Sequence, residues 1–167
     1  MAEKDTIFSS SIKSSGIFSF QDFYNFCYDW LTEESGLRIS ENKYAEKLSG
    51  DSKNIDIEWT GTKDITDYFR FEVKVKFNVI GLTQVEINKN GAKIKTNKGG
   101  IKIQVQGILV KDYKGKFESS AFSKFMRDIY EKLVITSRIE QFKEKLAGTC
   151  DEFLSQTKAY LDLEGKR

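Results

Sequence analysis

Asp64 and Asp67 stand three residues apart in a polar stretch with Thr62, Lys63 and Tyr68. Paired carboxylates can do acid–base work or hold a divalent cation. This spacing fits no calcium-loop pattern, and a solvated turn between two strands accounts for it better. Lys98-Gly99-Gly100 could let backbone amides approach a phosphate. A phosphate loop, however, needs a strand-to-helix turn whose lysine is followed by Ser or Thr. Here both flanks have strand character, so a turn between two strands is the expectation. Cys27 has no histidine to activate it, because the chain contains none. That absence removes the commonest general base and every Ser-His, Cys-His and His-zinc arrangement. Aromatic neighbours also raise a thiol pKa instead of lowering it. The serines Ser9, Ser10, Ser11, Ser14 and Ser15 have no visible base partner. No catalytic, cofactor-binding or metal-ligating residue is assigned, and the chain reads as a non-enzyme.

Two patterns suit binding better than catalysis. Lys89, Lys93, Lys95, Lys98 and Lys102 would form a basic hairpin ribbon. With Arg70, Lys74 and Lys76 on the outward side of a nearby strand, they offer a basic face for phosphates. The members singled out are Lys74, Lys76, Lys93, Lys95 and Lys102. Aromatic platforms for stacked bases are missing from the outward positions. A solvated, edge-protecting lysine face is the ordinary use of such residues. The second pattern is aromatic: Phe18, Phe20, Phe23, Tyr24, Phe26, Tyr28 and Trp30 crowd one short segment. A helix apolar most of the way round is either sandwiched inside a protein or offered to a partner. Phe20, Phe23, Tyr24 and Trp30, with Phe142 and Phe153 from the C-terminal part, are the candidate partner or ligand surface.

The elements that must position these residues are readable from period and punctuation. Ile7 to Ser14 could be an edge strand. Ser19, with Asp22 three residues on, caps a helix, and Phe18 and Phe23 stand at staple positions. Gly36 ends it. Leu37, Ile39 and Tyr44 alternate weakly, and 50–54 reads as a turn. Ile55, Ile57 and Trp59 alternate with Asp56 and Glu58. From Phe69 to Phe77 the odd positions are apolar and the even ones charged, the half-buried strand pattern of an antiparallel sheet. Asn90-Gly91 is a type I′ hairpin signal that places Ile87 opposite Ile94 and Glu86 opposite Lys95. A second turn is expected at 97–100. Gly107 suggests a bulge or bend before Ile108. From Ser119 the period turns helical. A break is expected near 135–137, and Thr149 with Glu152 offers a further capping box after Gly148.

Composition bounds the rest. The chain has 167 residues and 39% hydrophobic content, enough for one α+β domain over 1–167. Residues 1–5 are expected to be flexible and 119–163 helical. Lys and Arg number 27 against 25 Asp and Glu, which argues against a strongly basic nucleic-acid binder without excluding a local basic face. Cys27 and Cys150 fit two reduced thiols in a cytoplasmic protein. No apolar run reaches the roughly 20 residues that span a bilayer.

The expected fold is a mostly antiparallel sheet of about five to six strands. One N-terminal helix and a long, broken C-terminal helical segment pack on it. In element order alone this resembles the helix-grip arrangement, in which a curved sheet wraps a C-terminal helix around a cavity. Element order does not carry function. The leading expectation is a non-catalytic protein-interaction or self-assembly module. Charging Phe142 or Phe153 would then break association and spare the fold. The alternatives are a carrier of a small hydrophobic ligand in a helix-grip-like cavity and a nucleic-acid binder acting through the lysine face.

Overall fold

In a computed structural model of the chain, residues 3–114, 121–129, 132 and 136–165 are described. Five strands form one antiparallel sheet: β1 (Glu3–Phe18), β2 (Arg38–Ser49), β3 (Ser52–Asp64), β4 (Phe69–Lys89) and β5 (Ala92–Lys111). Their order is β1-β5-β4-β3-β2, so the first two strands occupy opposite edges. Helix α1 (Phe20–Asp29) runs into a π-helical turn (Trp30–Glu34) and carries the chain from one edge to the other. Helices α2 (Ala121–Ile129) and α3 (Thr136–Gly165) follow the sheet. Among the described residues no helix is long and apolar enough to cross a membrane.

The strong sequence signals fold as read. Ser19 accepts the Asp22 N–H, and the Phe18 and Phe23 rings meet edge-on at 5.9 Å. Gly36 takes a φ of 69°, and the Leu37 N–H turns back to the Leu31 carbonyl at 3.0 Å. That reversal requires the left-handed region, which glycine enters without penalty. Asn90 and Gly91 both have positive φ, and Ile87 pairs with Ile94 and Glu86 with Lys95. On β4 the odd residues from Phe69 to Val79 are buried.

Three expectations need correction. Glu3 to Asp5 are not loose: they pair with Lys111, Val110 and Leu109, and Asp5 holds Lys143 of α3 at 3.3 Å. Residues 97–100 do not turn; β5 runs straight through them. A Cβ on Gly99 would lie 3.0 Å from the Leu82 Cα and 3.2 Å from the Ile80 carbonyl oxygen. Gly99 therefore admits the bulged backbone of β4 at Ile80–Thr83, where the register shifts. The third concerns α3, which continues unbroken past Gly148. The Thr149 hydroxyl donates to the Lys145 carbonyl at 3.0 Å inside the helix and caps nothing. Of the break expected near 135–137, residue 135 lies outside the described residues, and α3 begins at Thr136.

Gly107 lies opposite a bulge, but the extra residue is on β1, between Thr6 and Phe8. Its own use is close approach. A Cβ there would sit 2.9 Å from the Cys150 Sγ and 3.3 Å from the Leu146 Cγ of α3. Helix α3 thus rests on β5 and β1, while α1 rests on β3 and β4 through Trp59 and Phe77. Both helices cover the same side of the sheet, and among the described residues its other side is left open along most of its length.

Candidate functional site on the open sheet face

The aromatic residues come together, but inside the chain. Helix α1 is wedged between sheet and α3. Phe23 meets Phe77 at 6.4 Å on one side and Tyr160 at 5.7 Å on the other. Phe26 stacks on Tyr160 at 4.7 Å, and Trp30 meets Phe153 at 5.6 Å. Phe142 packs against Phe69 at 5.2 Å. Phe23 and Phe153 are buried, and Phe20, Tyr24, Trp30 and Phe142 are half-buried against the same core. This packing lies between the sheet and the helices. It also withdraws Phe153 from any partner, so charging that residue cannot spare the fold.

The Asp64 and Asp67 carboxylates do not act as a pair. Asp64 accepts from Arg70 at 2.6 Å and lies 3.5 Å from Arg38, while Asp67 accepts from Lys114 at 3.1 Å. The Arg70 hydrogen bond holds the Asp64 carboxyl below its ordinary range. Burial pushes the Cys27 thiol well up and the Cys150 thiol to about 12, so neither is a ready nucleophile. Among the described residues no group of three His, Cys, Asp or Glu side chains could hold a metal.

The lysines behave differently. Antiparallel pairing sets the outward side chains of all five strands into cross-strand rows. Lys13, Lys102, Asn78, Asp56 and Ala45 form one row. Ser11, Gln104, Lys76, Glu58 and Lys43 form the next, followed by Ser9, Gln106, Lys74, Thr60 and Ser40. Rows repeat every second residue, about 7 Å apart. This face is hollow, not flat. One recess of about 930 Å³ is lined from Lys13 and Ser15 on β1 to Ala45 and Lys47 on β2. A second of about 610 Å³ continues it over Lys74, Lys76, Gln104 and Gln106. Both edge strands line the same trough because the long strands twist and the sheet coils with them.

Five lysines line the trough: Lys13, Lys47, Lys74, Lys76 and Lys102. Among the described residues none of them is in a salt bridge. The acidic residues facing them are Asp56, whose carboxylate takes the Asn78 amide at 2.7 Å, and Glu58. Glu46 also borders the larger recess, but its carboxylate accepts from Tyr44 and Lys53 at the rim. The remaining polar lining is Ser, Thr, Asn and Gln, which supplies hydrogen bonds without charge. Lys74, Lys76 and Lys102 of the sequence-derived basic face therefore converge. Lys93 and Lys95 do not: β4 and β5 continue alone beyond Gln84 and Asn97 as a two-stranded ribbon, and those lysines pair there with Asn88 and Glu86. Lys13 and Lys47 were missed, since only the pairing of distant strands brings them to the site. The period-2 alternation of β1 and β2 was the signal that could have found them.

Where α1 crosses β2 a second cluster forms. Glu41 accepts both the Tyr24 hydroxyl at 2.5 Å and the Trp59 indole N–H at 2.8 Å. The Tyr44 hydroxyl donates to Glu46 at 2.9 Å. Burial and the neighbouring carboxylate raise both phenols, Tyr44 to about 12. Both tyrosines thus stay neutral donors through the ordinary range. The raised Tyr44 value means that this phenol favours folding below about pH 10, and that its contribution is lost as pH climbs through about 12. Alkaline titration followed by tyrosinate absorbance is expected to show Tyr44 ionising late. Glu46→Gln should move that step to lower pH. An unchanged step in that variant would remove Glu46 as a cause.

No protein-family model matches the chain, and no curated protein matches it in sequence.

Proposed function

We propose that the chain is a non-catalytic binding module whose working surface is the open face of the sheet. Its occupant is single-stranded nucleic acid, held by its phosphates. The observation that carries this reading is the convergence of five lysines, free of salt bridges among the described residues, on one trough spanning all five strands. Lys102, Lys76 and Lys74 lie in successive rows about 7 Å apart. An extended strand's phosphates can match such a step. Neutral hydroxyl and amide side chains between the lysines can bond sugar and phosphate oxygens. Among the described residues the trough has no aromatic side chain for base stacking, so the reading implies binding with little sequence preference. Phe23 and Phe153 are instead buried in the core between the sheet and the helices.

The test is fluorescence anisotropy of a labelled oligo-dT against salt concentration. Affinity should fall with a log–log slope of about −3.5, the value set by five neutralised phosphates. Combining Lys74→Glu, Lys76→Glu and Lys102→Glu should weaken binding by at least about a hundredfold. Lys93→Glu with Lys95→Glu, on the ribbon, should have a small effect. Absence of binding at low salt, or equal losses in the two variants, would overturn the reading.

A further inference from the structure

On the opposite side from the trough, three rings converge at the start of α1. Phe20 and Tyr24 lie 6.2 Å apart, and Tyr24 and Tyr44 lie 6.3 Å apart with their planes at 81°. Together they wall a cleft of about 450 Å³ whose other lining includes Glu46, Lys53 and Asn25. Rings set at steep angles around one space present both faces and edges to it. A cation is drawn to the faces, where the quadrupole is negative.

The chemistry around the rings reinforces that preference. Each tyrosine donates its hydroxyl to a carboxylate, Tyr24 to Glu41 and Tyr44 to Glu46. A phenol that donates to an anion carries a more electron-rich ring, so both faces attract a cation more strongly. The first N–H of α1, on Phe20, is taken by the Asn97 side-chain oxygen at 3.0 Å. The helix start therefore does not present that donor to the cleft. Lys53 already places its ammonium 3.4 Å from Glu46, at the rim. That contact marks where a positive group can be held, and Lys53 is the natural competitor for it.

We infer that this cleft is a site for a methylated ammonium group, caged by Phe20, Tyr24 and Tyr44 and balanced by Glu46. Such a group has a diffuse charge and an apolar surface, and a strongly hydrated ammonium would lose more water on entry. The group can be carried by a free small molecule or by a lysine side chain. The trough and the cleft adjoin at Glu46 but have separate tests.

Two probes separate the sources: choline chloride, and N-acetyl-trimethyllysine amide. Each is titrated into the intact protein and followed by calorimetry and by the NMR shifts of the three rings. The neutral isostere 3,3-dimethylbutanol serves as control, because it has the same shape as choline without the charge. Choline or the lysine derivative should bind about tenfold more tightly than the neutral isostere. Whichever cation binds more tightly identifies the carrier. Tyr44→Leu, on an exposed strand, should cost about tenfold. Lys53→Gln frees Glu46 and should tighten binding. Equal binding of choline and its neutral isostere, or no effect of Tyr44→Leu and Lys53→Gln in folded variants, would overturn the inference.

Discussion

Phe153→Asp is expected to leave no folded protein, and Phe153→Ala to lower the free energy of unfolding by about 3–5 kcal/mol. The ring is fully buried at the point where three elements meet. It touches Trp30 of the π-helical turn and stands one helical turn from Cys150, which lies against Gly107 of β5. Truncation to alanine removes apolar area and leaves a void that the rigid sheet cannot close. Aspartate puts a charge at a fully buried position, which is more costly than the void. Urea denaturation followed by circular dichroism measures the alanine variant. A native spectrum and an unshifted thermal transition for Phe153→Asp would show that α3 is not seated as described. Phe142 provides the comparison. It is half-buried at the rim, with the Arg138 guanidinium 5.6 Å from its ring centre, and its replacement by alanine should cost less.

The second large effect is expected at Gly107. Gly107→Ala should destabilise the fold by about 1–3 kcal/mol, although alanine is ordinarily better than glycine in a strand. The added carbon would meet the Cys150 Sγ at 2.9 Å, the Leu146 Cγ at 3.3 Å and the Phe8 Cβ at 3.4 Å. The Cys150 and Leu146 contacts belong to one helix, so relief requires α3 to lift from the sheet. Cys150→Ala removes the nearest atom. In the Gly107→Ala background it should restore part of the loss, whereas alone it should cost stability by opening a cavity. A double-mutant cycle by urea denaturation reads that coupling, expected at about 0.5–3 kcal/mol. Strict additivity would mean that the two side chains do not share the same space.

The sequence was most legible where one local cause decides the structure. The alternation from Phe69 to Phe77 could only be a strand with one buried face, and Asn90-Gly91 could only be a tight hairpin of fixed register. It was least legible where one residue type serves two purposes. Gly99-Gly100 reads as a turn because glycine permits reversal, but here glycine permits the bulged β4 backbone to come close. Thr149 reads as a cap because its hydroxyl can accept, but here it donates back along the helix. The aromatic crowding of α1 was visible, yet its use depends on α3 covering the outer side, which no local pattern records. The trough was half legible. Lys74, Lys76 and Lys102 stood out, but Lys13 and Lys47 join them only through strand pairing across the whole sheet.

The placement of β1 bears on how the molecule forms during synthesis. Glu3 pairs with Lys111 and Phe18 with Asn97, so the first strand made must wait for the last before it has a neighbour. Contacts between such distant residues close slowly, whereas the β4–β5 hairpin can form as soon as its own turn is made. The nascent chain therefore carries β1 unpaired until β5 has been made. The serines of that strand, Ser9-Ser10-Ser11 and Ser14-Ser15, offer little apolar surface with which an unpaired segment could stick to the wrong edge or to another chain. The partner of β1 is a β5 edge that α3 also contacts.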